Sequence, residues 1–166
     1  GKITVDAQAR FRDATAGFVN EGPWPPVVES PTQYTVRWVL TNYSTDVTDT
    51  KVSAFLGAGA RFTGNVKSNI ASVPQYNERT QEVVWQVGKV LATKGVVGSP
   101  VEAIFQVEAI PSVIAAGAFQ PLVGETRLTA LDIFTGEKLS AGDSALSTDL
   151  TDDSTVGRGE GQVQSK

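Results

Sequence analysis

The sequence predicts an all-β protein, and three observations carry that prediction. Apolar residues fall on every second position along several stretches, clusters of Gly, Pro, Asn and Asp interrupt them at short intervals, and no stretch holds a convincing helical period. With 166 residues, 40% of them hydrophobic, the chain is long enough for one well-buried core and short for two. About eight short strands of this kind fit an antiparallel β-sandwich of immunoglobulin-like type, with a closed barrel as the alternative.

The first strand occupies residues 1–12, where Ile3, Val5, Ala7, Ala9 and Phe11 share one face and Thr4, Asp6, Gln8 and Arg10 the other. Residues 13–31 break all periodicity and form a long Pro-rich connector. Its Gly22-Pro23-Trp24-Pro25-Pro26 centre is expected to run extended, because each Pro fixes its own φ and restricts the residue before it. The clearest central strand follows, with Tyr34, Val36, Trp38 and Leu40 on one face, and it ends in the turn Asn42-Tyr43-Ser44-Thr45-Asp46. Val52, Ala54 and Leu56 continue the alternation, and Phe62 sits in a short strand beyond the Gly57-Ala58-Gly59 turn. Val83, Trp85 and Val87 form the next run. Val101, Ala103, Phe105, Val107 and Ala109 form another, which Pro111 stops because it has no N–H to donate. Two strands, Thr126 to Phe134 and Asp143 to Leu150, close a single domain over residues 1–150. Residues 151–166 are polar and Gly-rich, a tail that alone buries too little apolar surface to be ordered.

Composition removes most catalytic chemistry. The chain has no Cys and no His, which eliminates thiolate nucleophiles, disulfides, imidazole bases and the common zinc sites. An enzyme built from what remains would need paired carboxylates or a Ser–Lys arrangement. Fourteen Lys and Arg against 18 Asp and Glu leave a net charge of -4, opposite to the basic footprint of a nucleic-acid binder. No apolar run approaches the roughly 20 residues that span a bilayer. The chain opens on Gly1 and holds no Met, which predicts a processed mature protein or a piece of a longer one, with signal-peptide removal the favoured route.

Residues Pro25 to Ser44 read PPVVESPTQYTVRWVLTNYS, Lys51 to Gly64 read KVSAFLGAGARFTG, Tyr76 to Trp85 read YNERTQEVVW and Leu131 to Gly136 read LDIFTG. These segments resemble the conserved-repeat, immunoglobulin-like domains of bacterial cell-surface and adhesin-like proteins, over most of the chain from Pro25 to Leu150. Gly57 stands where family members commonly carry Pro. The motifs describe strand faces and turns, so the resemblance implies an extracellular sandwich used as a stalk, spacer or adhesive module and transfers no catalytic residue. Its implied partners are copies of itself, adjacent domains of a surface protein, or a glycan or cell-surface protein.

Five sets of residues stand out. The first strand is separated from the rest by the long connector, so Ile3, Val5, Ala7, Ala9 and Phe11 can fill a groove in their own molecule or a neighbour's, and donation head to tail would build a filament. Trp24 lies between two prolines with no strand face to join, and it either stacks on a ligand such as a sugar ring or folds back over one end of the sandwich. Asp132 shares parity with Leu128, Ala130 and Phe134, whereas Thr129, Leu131 and Ile133 form the face expected to be buried. An inward Asp132 would suit an intramolecular isopeptide bond, as some surface-protein sandwiches form, with Lys2 or Lys51 and Asn42 as partners. Asp149, Asp152 and Asp153 offer hard oxygen ligands suited to calcium, with solvated surface acid as the simpler account and no other cofactor expected. Glu102 and Glu108 lie about 20 Å apart along one strand, at ~3.3 Å per residue, too far for the roughly 6.5–9.5 Å of an inverting glycosidase pair. The reading is therefore a non-enzymatic surface protein, a stalk or a strand-donating filament subunit, with an adhesive module using Trp24 as the alternative.

Overall fold

The computed structural model describes residues 2–166; Gly1, which the expected first-strand span included, lies outside the described residues. Among the described residues eleven strands form three antiparallel sheets. They are β1 (Ile3–Arg10), β2 (Thr32–Asn42), β3 (Val47–Phe55), β4 (Ala60–Ser68), β5 (Gln75–Asn77), β6 (Glu82–Val90), β7 (Val101–Ala109), β8 (Pro121–Val123), β9 (Thr126–Asp132), β10 (Lys138–Asp143) and β11 (Leu146–Ser147). One main sheet runs β1-β2-β7-β4 and the other β10-β9-β3-β6-β5, with β11 and β8 as a small ribbon. The immunoglobulin-like sandwich is thus the architecture, with strands β5, β8 and β10 beyond the expected set.

The core follows from the alternation. Tyr34, Val36, Trp38 and Leu40 of β2 are fully buried, and each faces an apolar partner on β7: Val107, Phe105, Ala103 and Val101. Trp38 has an alanine on both sides, Ala7 of β1 and Ala103 of β7, so the two small residues leave room for the indole. From the opposite sheet Trp85 stacks on Trp38 with ring centroids 6.5 Å apart, and Phe105 meets Trp38 edge-on at 4.9 Å. Both indole N–H groups find acceptors, Trp38 Nε1 at Thr126 Oγ1 across the sandwich (3.0 Å) and Trp85 Nε1 at Ser72 Oγ (3.1 Å).

Three expectations are corrected. The inward face of β9 is Thr126, Leu128, Ala130 and Asp132, while Thr129 and Ile133 are exposed. The strand stops at Asp132, because its Oδ1 accepts from the N–H groups of Phe134 (2.9 Å) and Thr135 (3.2 Å) and turns the chain. In place of one strand from Asp143 to Leu150, the chain finishes β10 at Asp143, breaks at Ser144 and Ala145, and forms only the two-residue β11. Residues 151–166 are built into the domain and are not a tail: Val163 and Asp153 are buried, and Gln164 bridges Val27 while Gln162 bridges Phe119. Four backbone hydrogen bonds of 2.8–3.0 Å tie Val163 and Gln164 to Pro26, Val28, Gly117 and Ala118.

The alanine–tryptophan–alanine row sets a testable limit on core volume. Ala103→Leu is expected to destabilise the fold by about 1–3 kcal/mol, the range for overpacking a close-packed interior, measured by denaturant unfolding.

Candidate functional site: the strapped edge of the first strand

β1 lies at the edge of its sheet, so one side of its backbone has no strand to pair with. In the structure it pairs with β2 of its own molecule from Ile3↔Asn42 to Arg10↔Thr35. Its inward side chains Ile3, Val5, Ala7 and Ala9 are buried, and Phe11 follows just beyond the strand, half-buried. Carboxylates meet the open side of its second half and the residues just after it. Ala7 N donates to Asp143 Oδ2 (2.8 Å), and just beyond the strand Phe11 N and Arg12 N both donate to Asp153 Oδ2 (2.9 and 3.0 Å). Asp153 Oδ1 accepts in turn from the N–H and hydroxyl of Thr155, at 2.9 and 2.6 Å. A row of acceptors covers the edge where a further strand would otherwise add.

The electrostatics of the row divide. Burial opposes the charge on Asp153, yet the hydroxyl of Thr155 and the N–H groups of Arg12, Thr155 and Phe11 hold its carboxyl below the ordinary range. Burial raises the pKa of Asp152, and the neighbouring charges of Asp6 and Asp143 add to that rise against the N–H of Ala9 and the charge of Arg10.

The connector is fastened along its length. Asn20 Nδ2 donates to Phe11 O and Thr35 Oγ1, both at 2.8 Å, and Gln106 Nε2 donates to Asn20 Oδ1 at 2.9 Å. Arg37 pairs with Asp13 at 3.0 Å and with Glu102. Burial opposes the charge on Asp13, but the Thr15 hydroxyl and Arg37 hold its carboxyl below the usual value. The connector therefore covers the outer face of the β1-β2-β7-β4 sheet, which is why Thr35 and Gln106, on the outward side of their strands, are buried. Periodicity assigns those two residues to solvent; only the layer above them reverses that.

Trp24 folds back. It stacks on Phe11 at 5.3 Å and 16°, meets Tyr34 edge-on at 6.1 Å, and donates from Nε1 to Glu160 Oε2 at 2.9 Å. Gly161 lies against it, and a Cβ there would overlap the Thr148 carbonyl, so the segment tolerates no side chain at that position.

The isopeptide candidates differ in burial, with Asn42 and Asp132 inside and Lys2 and Lys51 at the surface. Asn42 is fully buried, its Nδ2 donates to the carbonyls of Thr45 (2.8 Å), Leu91 and Val90, and its Oδ1 accepts from Ser44 N. Lys51 is exposed, and Lys2 is exposed with its Nζ 5.4 Å from the centre of the Tyr43 ring. Asp132 also serves a loop: the N–H of Thr135 acts against the penalty of burial and, with Phe134 N and Thr45 Oγ1, holds its carboxyl below the ordinary range. The calcium trio is likewise not assembled. Among the described residues no group of three or more His, Cys, Asp or Glu is placed to hold a metal, since Asp152 and Asp153 face β1 while Asp149 lines a shallow cleft with Phe119, Val156 and Arg158. Glu102 and Glu108 are spent on Arg37 and Arg61.

No protein-family model and no curated protein matches the sequence. Solved structures do match the fold. The major pilin subunit BcpA of Bacillus cereus superposes with a TM-score of 0.50 at 13% identity, over 88% of this chain and 39% of the pilin. The 35 kDa C-terminal fragment of the major pilin GBS80 of Streptococcus agalactiae superposes with a TM-score of 0.51 at 5% identity, over 89% of this chain and 56% of the fragment. The chain is thus an immunoglobulin-like β-sandwich of the kind found in bacterial major pilins, and it spans about two-fifths of BcpA.

Three predictions follow from the strap and the folded-back indole. Asp153→Asn removes one acceptor and is expected to lose about 1–3 kcal/mol at pH 7. Because the folded carboxyl titrates below its ordinary 3.8, its contribution is complete above that value and fades as pH falls further, so the wild type and variant should converge in acid unfolding curves. Asp152→Asn has the opposite sign: a raised carboxyl loses stability as pH rises through it, so the variant should be more stable at pH 7, by up to about 1 kcal/mol at this exposed site. Trp24→Ala is expected to lower stability by about 2–4 kcal/mol, read from its melting curve, because the half-buried ring closes the domain at that end.

Proposed function

We propose that this domain is a load-bearing structural unit of a bacterial surface fibre, pilus-like in architecture, and that it works outside the cell after signal-peptide removal without catalysing a reaction. The observation that carries the reading is the placement and fastening of the two ends of the chain. Lys2 lies beside Tyr43 at one pole and Gln164 beside Val27 at the other, so tension between them passes through the whole sandwich. Pulling β1 from its first residue shears its ladder with β2, loading many hydrogen bonds at once, and the Asp153 strap joins that strand to the C-terminal segment. The likeness to major pilins supports the same reading. No helix among the described residues is long and apolar enough to cross a membrane.

Strand donation is the second reading, favoured by β1 being an edge strand with a single neighbour. Under it, residues 1–11 of one copy fill the same groove in the next, and purified chains form filaments that vanish when those residues are deleted. Filaments that survive the deletion would remove it. Trp24 offers less support for an adhesive module, since its ring and its N–H are already engaged.

The leading reading is tested by single-molecule stretching of tandem copies joined end to end. One abrupt high-force rupture per domain is expected, at lower force in Asp153→Ala. Gradual peeling of β1 at low force would overturn it.

A further inference from the structure

β4 and β5 are the outer strands of the two main sheets on the side away from β1 and β10. Between them lies a cleft of about 710 Å³, within the roughly 300–1,000 Å³ of small-ligand sites. Its wall is aromatic. Tyr76 of β5 stacks on Phe62 of β4 with ring centroids 5.3 Å apart, Phe62 lies 6.0 Å from Phe105, and Phe105 meets Trp38 at 4.9 Å. The rings run in sequence from the centre of the core to the cleft. One face of Tyr76 therefore rests on Phe62, and the half-buried ring that lines the cleft is fixed before any ligand arrives.

The rim is braced as well. Thr63, Gly64 and Asn65 of β4 stand opposite the single residue Gln106 of β7, a bulge between the pairs Phe62↔Val107 and Val66↔Phe105. Thr63 Oγ1 and Asn65 Nδ2 each donate to Gln106 Oε1 at 2.9 Å, and Gln106 Nε2 donates to Asn20 Oδ1, so one buried amide ties the bulge to the connector. Gly64 holds the apex at φ 97°, which side chains rarely adopt, and nothing lies within 4 Å of where its Cβ would stand. The backbone is left uncovered at the mouth of the cleft.

Two features select among ligands. An extended peptide adds to a strand edge, but the bulge leaves β4 only three paired residues on either side and β5 is three residues long, so neither edge offers a ladder. The charged and amide groups at the rim are Arg61, Gln75 and Glu78, all exposed. Arg61 is neutralised by Glu108 at 2.9 Å, so Glu78 leaves the rim net negative and sets it against anionic ligands. What remains is an aromatic face beside an amide and a carboxylate. A pyranose ring matches that set: its slightly positive C–H face lies on the negative π-face, and its hydroxyls donate to Glu78 and both donate to and accept from the Gln75 amide.

We propose that the cleft between β4 and β5 binds a short neutral saccharide of hexopyranose units, with Tyr76 as the stacking platform and Gln75 and Glu78 as hydroxyl partners. The cleft lies on the flank of the sandwich, on the far side from the strapped β1 edge. The inference therefore goes beyond the load-bearing reading and does not depend on it.

The test is an amide NMR titration of the full chain, with cellotetraose and tetra-N-acetylchitotetraose as neutral probes and trigalacturonate as the acidic one. Saturable shifts centred on Gly64, Gln75 and Tyr76 are expected with at least one neutral probe and not with trigalacturonate. Tyr76→Phe keeps the ring and should bind as the wild type does, whereas Tyr76→Ala should weaken binding roughly tenfold or more. Folding of each variant is verified by melting curve, and the surface change Gln75→Ala, also expected to weaken binding, keeps the test decisive where Tyr76→Ala does not fold. Any of four results overturns the proposal: no saturable shift with either neutral probe at millimolar concentration; trigalacturonate bound as tightly as the neutral probes; folded Tyr76→Ala, or Gln75→Ala in its place, binding as the wild type does; or a pool of extended peptides that shifts the β4 amides while the saccharides shift none, which assigns the edge to strand addition. Rupture force in the stretching experiment is read without any saccharide, so loss of either reading leaves the other standing.

Discussion

An edge strand presents a backbone N–H on its open side at every second residue, and each needs an acceptor that does not itself invite another strand. That requirement at β1 organises much of this molecule. Asp143 closes the gap between β1 and β10, and Asp153 receives the N–H groups of Phe11 and Arg12 where the strand gives way to the connector. Carboxylates satisfy donors but continue no ladder, so where they meet the edge they cover it without extending it. Asp153 can reach β1 only if the C-terminal segment crosses the pole, and that crossing brings Glu160 to the Trp24 indole and Gly161 beneath it.

The interior beneath the edge is set by volume. The stacked Trp38 and Trp85 span the space between the sheets, and the alanines at Ala7 and Ala103 let the strands on either side of Trp38 keep their spacing. β1 is therefore more than a cover. Its alanines are shaped to one indole, which ties the position of the first strand to the centre of the core.

Legibility in the sequence depended on how local each determinant is. The faces of β1, β2, β3, β6 and β7 are plain in the period-2 pattern, because large apolar residues alternate with polar ones over five or more positions. β10 reads KLSAGD and shows almost nothing, since an edge strand with half-buried Leu and Ala needs little hydrophobic signal. In β9 the parity was visible but the choice of face was not: Leu131 and Ile133 outweigh Asp132 in hydrophobicity. A buried carboxylate is tolerated there only because Phe134 N, Thr135 N and Thr45 Oγ1 converge on it. The candidate site divides in the same way. Ile3 to Ala9 were evident as a buried face, whereas Asp152 and Asp153 read as loop acid, because their partners lie more than 140 residues earlier in the chain.

By itself, the sequence determined the fold class, the inward faces of the main strands and the absence of thiol and imidazole chemistry, because period, turn residues and composition are properties of neighbouring residues or of none. Tertiary structure alone decided that carboxylates from distant segments meet the open side of the first strand and the residues just after it, that residues 151–166 belong to the domain, and that Trp24 packs inward while the loops of the far pole turn their apolar residues out. Those outcomes depend on which donors and acceptors distant segments bring together, and on which faces a covering layer removes from water. No local pattern encodes either.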